Sequence, residues 1–191
     1  MQIIPAILTS SLEEFNNLLA SISPKYDRVQ VDFIDGEYTN NKSLRVEELE
    51  SISKYPEIKF DAHLMVIGKN LQKYLDSLKN FNRVIVQMES VARPEDHECL
   101  ALDIHSPVEA IEPYLKNLKY LNLMAIEPGF GGQELDLTIF NKISDLSNLR
   151  SLNHLSFLMS VDGGVEKEHL QKFEELGVDE VIVGAKRLLS W

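Results

Sequence analysis

The chain is short of several things, and each shortage narrows what it can be. It has one cysteine, Cys99, in 191 residues. A lone thiol excludes an intrachain disulfide and a Cys-rich zinc site, and it makes a reducing, cytoplasmic compartment the expectation. No apolar run approaches the roughly 18 residues that a membrane span needs; the longest are strand-sized. The opening MQIIPAILTSSLEEF has neither a basic n-region nor a small-residue cleavage site, so no signal peptide is expected. Positive charge is also scarce. Nineteen Lys and Arg face 30 Asp and Glu, for a formal net charge of −11. That argues against nucleic acid and anionic membranes as partners. It does not argue against an anionic small molecule, which backbone N–H groups and helix N-termini hold locally. Linkers rich in proline or glycine and low-complexity tracts are missing as well. One domain over residues 1–191 is therefore expected.

What the chain does have is alternation. Strand patterns fall at Gln2–Leu8, Arg28–Ile34, Lys59–Met65, Arg83–Met88, Leu100–Ile104, Tyr120–Ile126, Leu155–Val161 and Glu180–Val183. Several are near-continuous apolar runs, as parallel strands buried on both faces require. Helix patterns lie between them. Ser10 with Glu13 reads as a capping box, with Leu12, Phe15 and Leu19 facing inward. Leu71, Tyr74, Leu75 and Leu78 keep helical spacing. Ser106-Pro107-Val108-Glu109 reads as an N-cap, a first-turn proline and a capping glutamate. Leu170, Phe173 and Leu176 form a stripe that ends at Gly177, a C′ glycine. Eight strands alternating with helices indicate a parallel α/β fold. Periodicity alone does not separate a closed barrel from an open doubly wound sheet. The eleven residues between Met88 and Leu100 barely hold a helix, and the residues after Glu180–Val183 leave little room for an eighth one.

Four strand ends carry polar or glycine-rich residues where a buried strand prefers apolar ones. They are Asp32 in QVDFIDG, His63 in DAHLM, the PGFGGQ loop after Met124, and Asp162 in SVDGGV. Singly, each has a plain structural reading: an aspartate caps the next helix, a histidine sits satisfied in a core, a glycine-rich turn only turns. Together, at equivalent strand ends, they form the pattern of a barrel active site.

The motifs PAIL-T, VDFIDG, DAHLM, EPGFGGQ and VDGGV stand in the order and close to the spacing of the ribulose-phosphate 3-epimerase family, which the chain resembles from Ile4 to Gly184. The resemblance implies a (β/α)8 TIM barrel of the ribulose-phosphate-binding type, with a reduced fourth crossover and a truncated eighth helix. It implies inversion of a carbinol centre beside the ketone of a phosphorylated ketose, with a divalent metal (Mn, Fe, Zn or Mg). By motif, Asp32 and Asp162 resemble the acid/base pair. Inversion takes a proton from one face of a carbon and returns one to the other, so a carboxylate is needed on each side. Asp32, His63 and Asp162 match metal ligands, and Met65 and Met124 match methionines lining the intermediate. Gly129, Phe130, Gly131, Gly132, Gly163, Gly164, Gly184 and Ala185 match the phosphate cradle, and Thr9 keeps a hydroxyl on the substrate side.

Several positions depart from the family pattern. Gln30 replaces the second histidine ligand, which leaves a neutral, weaker donor. Ala6 and Ala185 replace serines, Ile34 a methionine, and Gln87 a histidine on the fourth strand. Lys186 and Arg187 read as a solvated chain end, Asp35 as a turn residue with Gly36, and His97, His105, His154 and His169 as surface or loop residues. Two functions follow as expectations: an epimerase using a phosphorylated sugar, or a catalytically silent relative that binds a phosphorylated ligand or a protein partner. A phosphosugar aldolase or decarboxylase of the same barrel type is disfavoured, because the third strand reads DAHLM with no lysine. A homo-oligomer is expected. The outer wall of the first and last strands needs a cover, from helix one, the chain end or a second subunit.

Overall fold

The computed structural model describes the backbone of all 191 residues and the side chains of all but Glu50 and Ser51. Eight strands close into one barrel: β1 (Gln2–Ile7), β2 (Arg28–Ile34), β3 (Lys59–Met65), β4 (Arg83–Gln87), β5 (Cys99–Leu102), β6 (Tyr120–Met124), β7 (Leu158–Asp162) and β8 (Glu180–Gly184). Each pairs in parallel with the next, and β8 pairs back onto β1. Closure removes the sheet edge and decides between the two architectures the periodicity left open. The predicted strands match these eight closely. The largest difference is β7, which begins three residues later than expected and takes in Asp162.

The main apolar core lies outside the sheet, between its outer face and the helices. Among the described residues, two small apolar clusters, Ile4/Ala6/Ile182 and Ile85/Ala101/Tyr120, stand apart from it. Alternation along the strands turns polar residues into the barrel. At its N-terminal end Arg83 pairs with Asp61 at 2.5 Å and Glu180 at 2.8 Å, while Arg28 approaches the same two acids at 3.8 and 3.6 Å. The Arg83 guanidinium also lies 3.8 Å from the centre of the Tyr120 ring. This ionic plug shuts one end of the barrel. Above it sit Gln30, His63, Gln87, Asn122 and Ser160, all fully buried.

Five α-helices connect strands, α1 (Leu12–Ile22), α2 (Gly68–Ser77), α3 (Val108–Ile111), α4 (Ile139–Leu152) and α5 (Leu170–Glu175), and α6 (Ala185–Leu189) follows β8. The α1 cap falls one residue later than predicted. Ser11, not Ser10, accepts from the Glu14 N–H at 3.3 Å, and Leu12 faces solvent while Phe15 and Leu19 are buried. Ser106 does not cap α3. Its hydroxyl donates to Glu89, Pro107 takes the cap position, and Pro113 lies in the 3-10 run Glu112–Asn117 that follows α3. The β4–β5 crossover holds two single 3-10 turns, Met88–Ser90 and Pro94–Asp96, so the fourth crossover is reduced as expected. α5 ends in a Schellman motif: Gly177, at φ 80°, donates to Glu174 O, and Val178 donates to Phe173 O. His169 is not a free surface residue, since its Nδ1 accepts from the Glu166 N–H and its ring packs on Phe173.

α6 is five residues long. It packs with α1 over β1 and β8, burying Leu188, and the Trp191 ring joins the same core. Helix one and the chain end thus cover the wall that short last helix leaves.

Candidate active site

β2, β3 and β7 bring Asp32, His63 and Asp162 to the C-terminal mouth of the barrel. Each comes from the C-terminal half of an apolar strand whose register places it there: Asp32 pairs with His63, and Met124 with Asp162. One ligand atom from each of the three residues lies within 4.8 Å of the other two. Asp32 and Asp162 are each 8% exposed and His63 is fully buried, so both carboxylates open to the mouth while the imidazole lies beneath.

A single nitrogen ties the pair together. Gln30 Nε2 donates to Asp32 Oδ1 and to Asp162 Oδ2, each at 2.8 Å. Asn122 Nδ2 adds a bond to Asp162 Oδ2 at 3.0 Å and is itself held by the Ser160 hydroxyl at 2.7 Å. Charge-assisted bonds of this kind are worth about 1.5–3 kcal/mol each, enough to offset the roughly 1–3 kcal/mol of leaving a buried polar atom bare. Gln30 Oε1 is such an atom, buried without a hydrogen-bond partner. Gln30 was expected to lend that oxygen as a weak metal ligand. The structure turns it away, because a carboxylate can only accept and so draws the amide's N–H side. Asn122 was missed; its signal was a polar residue in the middle of the apolar strand YLNLM.

Burial, and next the charge of Asp32, push the Asp162 carboxyl above its ordinary range. Two carboxylates so close hold a proton between them more readily than either does alone. Burial opposes protonation of His63, but Asp32 beside it, with Asp162, raises the imidazole. Its Nδ1 stands 3.5 Å from Asp32 Oδ1 and from Asp162 Oδ2 and makes no hydrogen bond. Its Nε2 lies 3.2 Å from Gln87 Nε2. An amide nitrogen only donates, so this orientation makes Nε2 the acceptor and leaves the ring proton on Nδ1. Freeing Nδ1 for a metal moves that proton to Nε2, which then needs the oxygen of Gln87, itself buried and unpartnered. Two carboxylates and an unpartnered imidazole nitrogen fit a divalent cation, with three protein donors in place of four.

A cavity of about 480 Å³ opens above this floor. Met65 and Met124 line it beside the aspartates. Gly129, Phe130, Gly131, Gly132, Gly163, Gly164, Gly184 and Ala185 form its far side. A Cβ at Gly131, Gly132 or Gly184 would meet nothing within 4 Å, so these backbones face open space. Gly164 differs: at φ 68° its Cβ would stand 2.5 Å from the Leu135 backbone. Lys186 and Arg187 line the rim, so they are not simply a solvated end. Both are already paired, Lys186 with Glu14 at 2.5 Å and Arg187 with Glu166 at 3.2 Å. Thr9 does not line the cavity. Its hydroxyl donates to Glu14 and accepts from the Ser11 N–H, anchoring the start of α1. Sequence reasoning missed Leu8, Leu18, Ile126 and Ile182, whose apolar side chains also face the cavity.

The segment after β2 reaches over the mouth. Asp35 Oδ1 accepts from the N–H groups of Glu37 and Tyr38, and Oδ2 accepts from Ile67 N and Asn70 Nδ2, so Asp35 also ties this segment to α2. Tyr38 donates to Asp103 beyond β5 at 2.7 Å, and Asn41 donates to Gly129 O at 2.6 Å.

Known proteins resemble this chain. The model of the ribulose-phosphate 3-epimerase family matches residues 2–187. A ribulose-phosphate 3-epimerase of Helicobacter pylori (strain J99) is 26% identical over 97% of this chain and 89% of its own length. That of Bacillus subtilis is 24% identical over 97% and 91%. Among solved structures, a mutant tryptophan synthase alpha-subunit from Pyrococcus furiosus superposes with a TM-score of 0.67 at 12% identity, over 96% of this chain and 87% of that one. The phosphoribosyl anthranilate isomerase of Thermus thermophilus gives 0.64 at 11%, over 98% and 94%. These two share the fold alone. With a closed parallel barrel, two aspartates and a histidine at its mouth, and a family match over nearly its whole length, the chain belongs to the ribulose-phosphate 3-epimerase family and to the epimerase group of enzymes.

Proposed function

We propose that the chain inverts the carbinol carbon next to the ketone of a phosphorylated ketose, with Asp32 and Asp162 as the proton-transfer pair. One observation carries this reading: the two carboxylates share a single bridging donor at 2.8 Å each and open into the same cavity. A flat enediolate lying between them has an acid on one face and a base on the other. The raised carboxyl of Asp162 suits the partner that holds the proton at rest. Met65 and Met124 lay polarisable apolar surface along the intermediate and keep water off it. The glycine-lined side leaves room for the phosphate against bare backbone. Held by Asp32, His63 and Asp162, a divalent ion would supply Lewis-acid stabilisation of the developing oxyanion.

The test is solvent exchange. Ribulose 5-phosphate in deuterated water with Mn, Zn or Fe takes up deuterium at C3. Asp32→Asn and Asp162→Asn each slow that uptake by about 100-fold or more. No uptake with any of these metals removes the reading. Gln30 in place of a fourth ligand favours one other function, a relative that holds the phosphorylated ligand without turnover. Ligand binding with no exchange would establish it.

A further inference from the structure

Gln30 lies two residues before Asp32 on β2, fully buried beneath the pair. We propose that Gln30 is a hydrogen-bond clamp on the two aspartates, not a metal ligand, and that it fixes their spacing without any ion. The clamp rests on reading Asp32 and Asp162 as the working pair. The atom 2.8 Å from both Asp32 Oδ1 and Asp162 Oδ2 is the Gln30 amide nitrogen, which donates to each. Its oxygen is then turned from them and has no partner, so no lone pair of Gln30 faces the space between the aspartates. The two oxygens it binds are also those that His63 Nδ1 stands 3.5 Å from. The clamp thus draws on the same two oxygens that a cation between these groups would use, and it competes for their lone pairs. Asn122 repeats the chemistry on Asp162 Oδ2 at 3.0 Å. A neutral donor bridges the pair without adding positive charge, so the pair keeps its spacing without a metal. Gln30 is therefore a positioning residue.

Manganese titration by calorimetry on the full-length native chain, Gln30→Leu and Gln30→His distinguishes clamp from ligand. Leucine removes the clamp and no ligand, so Gln30→Leu binds manganese within about threefold of the native chain or more tightly. Imidazole adds a donor, so Gln30→His tightens binding by about tenfold or more. A tenfold loss in Gln30→Leu with unchanged thermal unfolding overturns the proposal. A second measurement needs no stable variant. In metal-free, 15N-labelled native protein the Gln30 side-chain amide protons are shifted downfield and exchange slowly; ordinary shifts with fast exchange overturn the clamp. If the native chain binds no manganese at millimolar concentration, this amide signature decides alone. Neither measurement uses a sugar. A protected amide in a protein without C3 exchange keeps the clamp and rejects the epimerase reading, and an unprotected amide in an active protein does the reverse.

Discussion

Asp35 begins the segment over the mouth, Asp103 beyond β5 accepts from its Tyr38, and the two respond to pH with opposite signs. Burial works to raise Asp35, but the Asn70 amide and the N–H groups of Tyr38, Glu37 and Ile67 outweigh it and hold the carboxyl below its ordinary value. Its stabilising contribution is complete above the unfolded pKa of about 3.9, and it is lost as pH falls through the lower folded value. Burial, with Glu89 nearby, pushes Asp103 up to about 6 against the opposing Tyr38 hydrogen bond. There the folded state holds the proton more tightly than the unfolded chain, so stability falls as pH rises from about 4 to about 6. Thermal unfolding across pH 3–7 checks both. Asp103→Asn flattens the decline between pH 4 and 6, whereas Asp35→Asn removes a loss confined below pH 4. A native profile identical to that of Asp103→Asn would contradict the first. Residues were also where reading the sequence met its limit. Asp32, His63 and Asp162 were legible because each breaks an apolar strand at its end. Thr9 was misplaced because Glu14 and Ser11, close by in the chain, hold its hydroxyl, and Asn122 was unseen because its partner Asp162 comes from β7, distant in sequence.

Elements fared better. All eight strands were legible, because parallel strands buried on both faces leave apolar runs with little else to become. Helix starts were less so: the cap expected at Ser10 falls at Ser11, whose side chain accepts from the Glu14 N–H. The glycine loops separate two kinds of necessity. Gly164 has φ 68° and the Leu135 backbone 2.5 Å from where a Cβ would stand, so Gly164→Ala costs about 1–3 kcal/mol of stability. Gly131 has open space, so Gly131→Ala changes stability by no more than about 0.5 kcal/mol while its methyl intrudes on the cavity. Thermal unfolding together with competition by inorganic phosphate tells them apart. Gly131→Ala should leave the melting temperature alone and weaken phosphate binding; a melting drop as large as that of Gly164→Ala would refute the distinction.

At the scale of the molecule the barrel divides its labour between its ends. The N-terminal end is closed by Arg83, Asp61, Glu180 and Arg28, with both acids almost wholly buried. Removing one member strands a buried charge, which costs about 3–5 kcal/mol. Asp61→Ala should therefore lower the denaturant midpoint sharply without altering the mouth residues; an unchanged midpoint would show that solvent reaches the plug. None of this plug stood out in the sequence, since four scattered charges become a unit only when the sheet closes. The opposite end carries the segment from Asp35 to Asn41, which reaches the ground beyond β5 and the loop after β6. That fence leaves a doorway on the side of Gly131 and Gly184. On the proposed function, a ketose phosphate would come in carbonyl tip first and leave its anionic tail at the threshold. A ketose phosphate extended beyond its phosphate should still compete for the site, whereas one extended at its carbonyl end should be shut out, and inhibition constants for the two would reveal a door facing the other way.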